Sequence, residues 1–162
     1  MTTTTSDLRL TQATIAKAEL LIRKPAAEVF EAFVDPTITT KFWFTKSSGR
    51  LEPGRQVRWD WGMYGASATV DVLAVEQNER IRVALPAGEP TTVEWRFTPH
   101  GDDATFVSIT NAGFAGNGDE VVKQAIGATE GFTLVLAGLK AWLEHGIALN
   151  LVADRFPAGL ES

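Results

Sequence analysis

Hydrophobic positions along this chain change period repeatedly, and each change marks a new element. From Thr11 to Arg23, Ile15, Leu20 and Ile22 sit among Thr, Ala, Lys and Glu, an imperfect alternation that predicts a long first strand. Lys24 to Phe33 then switches to helical spacing, with Val29 and Phe33 four apart and Phe30 on their side. Pro25 suits the first helical position, where a missing N–H costs nothing. Asp35-Pro36 ends this helix and opens a second, short one, with Asp35 as the cap. That helix runs to about Phe42 and into Phe42-Trp43-Phe44.

After Gly49 the period becomes two. Val57, Trp59 and Trp61 share one face of a strand and Arg58 and Asp60 the other, until Gly62 and Gly65 turn the chain. Ala66 to Val75, Arg80 to Leu85, Thr92 to Phe97 and Thr105 to Asn111 alternate in the same way. They are separated by Asn78-Glu79, by Pro86 to Pro90 and by the hairpin turn His100-Gly101-Asp102-Asp103. Short, turn-bounded alternating strands imply an antiparallel sheet with one wet face.

The helical period returns after Asn117. Asp119-Glu120-Val121-Val122 starts a helix that Gly127 and Gly131 are expected to interrupt or bend. Phe132, Val135, Leu136, Leu139, Trp142 and Leu143 then line one face, with Thr133, Lys140 and Glu144 on the polar side. Ile147 to Arg155 is expected to continue as helix to Phe156-Pro157. So apolar a terminal helix needs a large partner, and the sheet supplies it. The fold class is therefore α+β, a helix-grip fold. A curved antiparallel sheet of about seven strands wraps around a long C-terminal helix, with two short helices after strand 1. Residues 1–10 read as a disordered tail, 11–156 as one domain and 157–162 as a C-terminal tail.

Composition changes this picture only by exclusion. At 162 residues, 44% hydrophobic and 22% charged, the chain fits one folded domain. A net charge of −5 without any Lys/Arg block argues against nucleic acid or an anionic membrane as partner. The absence of cysteine excludes disulfides, thiolate nucleophiles and cysteine-ligated zinc. Neither a secretory signal nor an apolar run of bilayer length is present, so a soluble, cytoplasmic protein is expected.

Familiar catalytic patterns are missing. His100 and His145 are far apart and have no carboxylate at metal-ligand spacing, so no metal or other cofactor is expected. Gly65-Ala66-Ser67-Ala68-Thr69 lacks the second glycine of a nucleophile elbow and precedes a strand. Gly113, Gly116 and Gly118 fit no phosphate-loop spacing, and Asp119 and Glu120 follow them where an anion would need positive charge. Asp102-Asp103 form a turn, and Glu28 and Glu31 favour a helix N-terminus. No catalytic residue is assigned.

An aromatic stripe remains. Trp59, Trp61, Trp95 and Phe97 on the sheet face Trp43, Phe132 and Trp142, and Asn111 and Thr105 share a face with Val107 and Ile109. Such a set serves equally as ordinary core or as the wall of a ligand cavity. A buried Asn needs a partner, which a bound molecule or water could supply.

Several of these segments resemble a known family. Pro25-Ala26-Ala27-Glu28-Val29-Phe30-Glu31-Ala32-Phe33, the pair Phe42-Trp43 and Gly54 opening a strand are similar to the START-like (SRPBCC) superfamily. That superfamily includes the birch pollen allergen, polyketide cyclases and homologues of the activator of the heat-shock protein ATPase. Thr105 to Asn111 with Gly113-Phe114 resembles the last-strand signature of the activator-homologue branch. Gly131-Phe132, Leu136, Leu139, Lys140, Leu143 and Glu144 resemble its terminal helix, with Phe132 where a Trp is more usual. The likeness spans Thr11 to Leu151.

The resemblance implies a cavity, and with it a binder of a small, mostly hydrophobic molecule. Trp43, Trp59, Trp61, Trp95, Phe97, Asn111, Phe132, Leu136 and Leu139 are the expected ligand-binding residues. Gly62-Met63-Tyr64-Gly65 and Pro86 to Pro90 are the expected mouth. Two alternatives stay open. One is a polyketide cyclase- or dehydratase-like enzyme, which needs Tyr64, Asp71 or a glutamate turned inward. Asn111 stands where many relatives carry His, so chemistry assigned to that His does not transfer. The other is a chaperone-associated regulator, which needs an exposed apolar patch such as Phe42-Trp43-Phe44 or Phe156. A homodimer is left open.

Overall fold

The computed structural model describes residues 9–86 and 90–160. Most of the expected N-terminal tail, the centre of the Pro86 to Pro90 loop and the last two residues lie outside the described residues. The elements are β1 (Ala16–Ile22), α1 (Ala26–Val34), α2 (Pro36–Thr39), β2 (Lys46–Ser47), β3 (Gln56–Trp61), β4 (Ala66–Glu76), β5 (Arg80–Leu85), β6 (Thr91–Pro99), β7 (Thr105–Ala112), α3 (Gly118–His145) and α4 (Leu151–Asp154). One antiparallel seven-stranded sheet runs β1-β7-β6-β5-β4-β3-β2, and α3 lies against it. This is the α+β helix-grip fold.

The first strand is shorter than expected, and of its three aliphatics Leu20 and Ile22 lie on the inner face while Ile15 does not. Ile15 precedes β1 and is exposed; Ala16, Ala18 and Ile22 are the buried side. Small residues on this edge strand let α3 approach closely, and α3 packs chiefly along β1. Pro25 sits one place earlier than expected, as the cap of α1, its carbonyl accepting from the N–H groups of Glu28 and Val29. Asp35 caps α2 as its sequence suggests, accepting from Thr37 N–H at 2.9 Å. The two-residue β2, paired with Trp59 and Asp60 of β3, is too short to show a period.

The largest departure is α3, an unbroken helix of 28 residues through Gly127 and Gly131. Two helical glycines lower propensity without breaking a helix that tertiary packing holds. The break comes at Gly146, which takes a left-handed conformation (φ 66°) and donates back to Trp142 and Ala141 carbonyls as a C-cap. Residues 147–150 are irregular, so the expected continuous helix to Arg155 is instead the single turn of α4. That turn follows Asn150, itself left-handed at φ 57°.

A polar tether fixes the C-terminal end of α3 to β1. Glu144 accepts from Arg23 N–H at 2.9 Å and from Lys140 Nζ at 2.6 Å, while Lys140 Nζ also donates to Leu21 O at 2.9 Å. Burial pushes the Glu144 carboxyl up, but the Arg23 and Lys140 hydrogen bonds outweigh it and hold it below the usual glutamate range. A carboxylate depressed in the folded state stabilises above its unfolded pKa, and that stability is lost as pH falls through the folded value. Glu144→Ala is expected to cost about 2 kcal/mol at neutral pH, because it leaves the Arg23 N–H without its acceptor and Lys140 with Leu21 O alone. Urea unfolding checks this, and the gap between wild type and variant should close as the pH drops below the usual glutamate range.

Candidate functional site

A cavity of about 410 Å³ lies between the inner face of the sheet and the middle of α3. Its floor is Trp59, Val93, Trp95 and Asn111, all buried. Period-two alternation places these on the inner face of β3, β6 and β7. Trp43, from the segment after α2, forms the centre of the aromatic wall. Its ring lies 4.9 Å from Trp59, 6.0 Å from Trp95 and 5.9 Å from Phe132, measured between centroids. Rings braced in this way, tilted against Trp59 and Trp95 and edge to face with Phe132, are held by one another and do not collapse into the space.

The helix supplies the rest of the emptiness. Gly127, Ala128 and Gly131 line the cavity, and a Cβ added at either glycine would meet nothing within 4 Å. Over this turn of α3 the wall therefore carries no side chain at two of its positions. Because α3 leans toward β1, the sheet from β3 to β6 is left partly uncovered at this level.

Polar groups are few and differently placed. Asn111 Nδ2 donates to Thr92 O at 2.9 Å, which fixes the amide on the floor. Trp95 is 1% exposed, and its indole Nε1 has no hydrogen-bond partner. The exposed members of the lining mark the mouth: Gly127, Glu130 and Gly131 from α3, with Arg155 and Phe156 from beyond α4. Arg155 pairs with Glu130, and that hydrogen bond holds the guanidinium above its ordinary value. Its charge lies 4.3 Å from the Phe156 ring centroid. Tyr64, in the helical turn Gly62–Tyr64, donates its hydroxyl to the carbonyls of Val152 and Ala153, the latter at 3.1 Å.

Of the nine residues expected to bind ligand, Trp43, Trp59, Trp61, Trp95, Asn111 and Phe132 line this cavity. Phe97, Leu136 and Leu139 do not; they belong to the solid core. Phe97 is covered by α1, with Phe30 and Phe33 at 5.5 and 6.0 Å, so its end of β6 has no free space. Leu136 and Leu139 lie deeper along α3, where the helix meets the sheet directly. Trp142 is also elsewhere, half-buried with Lys41 Nζ 5.5 Å from its ring. Of the two expected surface patches, Phe42-Trp43-Phe44 is not one, since Phe42 and Phe44 are buried and Trp43 faces the cavity, whereas Phe156 is exposed. Asp71 is off the cavity and accepts from Gln56. Among the described residues no group of three His, Asp or Glu is placed to hold a metal.

The sequence reading missed Glu130, Arg155 and the helix glycines as wall residues. The glycines carried a usable signal, being four apart on the face that continues to Phe132 and Val135. Glu130 and Arg155 carried none, because the chain reversal at Gly146 brings them together.

Fold and site define a helix-grip domain with an internal, mostly apolar cavity open at one end. The chain belongs to the family described as Activator of Hsp90 ATPase homolog 1-like protein, whose model matches residues 23–144. Among solved structures it is similar to protein SSP2350 from Staphylococcus saprophyticus, at 31% identity and a TM-score of 0.74, over 84% of this chain and 96% of that one. It also resembles the Aha1 dimer from Colwellia psychrerythraea (17% identity, TM-score 0.70, 82% of this chain and 98% of that one). A third likeness is to BexL, a di-domain ARO/CYC protein of a biosynthetic pathway (15% identity, TM-score 0.72, 81% of this chain and 46% of that one). The last two establish common fold alone. A search of curated proteins found no match. No helix among the described residues is long and apolar enough to cross a membrane.

Proposed function

We propose that this protein binds a small, mostly apolar molecule in the cavity between the sheet and α3. The observation that carries the reading is the unfilled volume of about 410 Å³ walled by braced tryptophans and helix backbone, a size suited to one small ligand. Trp43, Trp61, Trp95 and Phe132 supply apolar surface. Phe97, Leu136 and Leu139 support that wall from the core. Asn111 spends its amide nitrogen on Thr92, which leaves its carbonyl oxygen to orient a ligand hydroxyl or amine. Burying about 250 Å² of apolar ligand surface contributes roughly 6 kcal/mol before the costs of association, which corresponds to micromolar affinity or weaker.

Titration with anilinonaphthalene sulfonate and with a series of neutral lipophilic molecules tests this reading. Bound molecules should change tryptophan fluorescence and raise the unfolding temperature, as any ligand selective for the folded state does. Failure of every molecule to do either would reject the reading.

A second reading, a cyclase- or dehydratase-like enzyme, draws on Tyr64 and Glu130 at the wall and on the likeness of fold to BexL. Both groups are already engaged, Tyr64 by the Val152 and Ala153 carbonyls and Glu130 by Arg155, so neither is poised as a general base. Turnover of a polyketide-like chain that is lost in Tyr64→Phe would favour this reading over simple binding.

A further inference from the structure

The reversal at Gly146 sends the chain back over the mouth of the cavity. From residue 147 to Phe156 it forms a strap that the family match, which ends at residue 144, does not include. Val152, Arg155 and Phe156 of this strap line the cavity. It is held to the rest of the fold by Val152, which packs against the hydrophobic core, and by two polar fastenings. Tyr64 donates to the carbonyls of Val152 and Ala153, and Arg155 pairs with Glu130 of α3. Phe156 also packs edge-on against Tyr64 at 6.0 Å.

These attachments have the character of a latch. The Arg155–Glu130 pair is 43% and 45% exposed, so it is weak and screened by salt. The strap itself is loosely seated: Ile147, Leu149 and Phe156 are exposed, and α4 is a single turn that could not stay helical alone. Its two hinges are left-handed residues, Gly146 and Asn150, which bracket the irregular stretch. Few buried contacts and polar fastenings are the features of a segment that opens locally without unfolding its domain.

We infer that residues 147–156 are a lid over the cavity, latched by Tyr64 and by the Glu130–Arg155 pair, and that unlatching governs passage of the ligand. The inference rests on the binding reading for what the lid retains. Lid opening itself can be measured without ligand, because four of the five tryptophans line the cavity behind the strap.

The test compares wild type with Tyr64→Phe and Glu130→Gln, both substitutions near the surface that keep side-chain size. Amide hydrogen exchange in residues 151–156 and acrylamide quenching of tryptophan fluorescence should each rise about fivefold in Tyr64→Phe, the factor expected from loss of one hydrogen bond, and about twofold in Glu130→Gln, whose exposed ion pair is weaker, with exchange in the sheet unchanged. Raising salt should speed exchange in wild type but not in Glu130→Gln, an outcome that a merely structural role would not produce. Stopped-flow mixing with anilinonaphthalene sulfonate should show faster entry and faster release in both variants. Unchanged exchange and quenching overturn the latch, and faster exchange with unchanged dye rates overturns the gating. A wild type that binds no dye rejects the binding reading, while exchange and quenching still decide whether the strap opens.

Discussion

Gly131→Leu is expected to weaken anilinonaphthalene sulfonate binding at least about tenfold, equivalent to about 1.4 kcal/mol, while the fold becomes no less stable. A Cβ at this position meets nothing within 4 Å, and the residue lines the cavity, so the new side chain takes space that the ligand would use. Glycine inside a helix costs about 0.5–1 kcal/mol relative to alanine, so replacing it recovers helix stability. Binding and stability therefore move in opposite directions. Gly127→Leu, four residues earlier on the same wall, should behave alike, and the double variant should bind no dye. Fluorescence titration and thermal unfolding on the same samples check both halves. Dye binding unchanged in the double variant would mean that the dye occupies another site.

The second large effect separates wall from core. Trp95→Ala should lower stability by about 3–5 kcal/mol, because it empties a fully buried position braced by Phe33, Trp43 and Phe132. Trp95→Phe should cost only about 1 kcal/mol: the indole Nε1 has no partner, so no hydrogen bond is lost with it. Trp61→Ala, at a half-buried wall position, should also cost about 1 kcal/mol but should reduce dye binding. Urea unfolding orders these variants. A Trp95→Phe variant as unstable as Trp95→Ala would show that the indole ring's full shape, rather than apolar burial, holds this part of the core.

The strands from β3 to β7 were legible because each buries one face. Val57 and Trp59, Val70 and Val72, Ile81 and Val83, and Val93, Trp95 and Phe97 all alternate as their burial requires. The Asp35 cap was legible for the same kind of reason, a local hydrogen bond two residues long. β1 was blurred because two of its three buried residues are alanines, chosen by the closeness of α3 and not by an intrinsic strand preference. Family membership over residues 23–144 accords with the resemblance carried by the first helix, the Phe42-Trp43 pair and the terminal helix.

The site was legible only by composition. Alternation put Trp59, Trp61, Trp95 and Phe97 on one face, but it could not say which of them another element would cover. α1 covers Phe97, and α3 presses Leu136 and Leu139 into the sheet, whereas Trp43, Trp61 and Phe132 stand around open space. Period and chemistry of the side chains determined the α+β helix-grip and the aromatic inner face. Only the tertiary structure decided that α3 runs unbroken through Gly127 and Gly131, that it leans toward β1, and that the chain doubles back at Gly146 to cover the mouth. Local periodicity encodes which face of an element is apolar. How far two apolar faces approach depends on side chains distant in sequence, and that distance separates a core from a cavity.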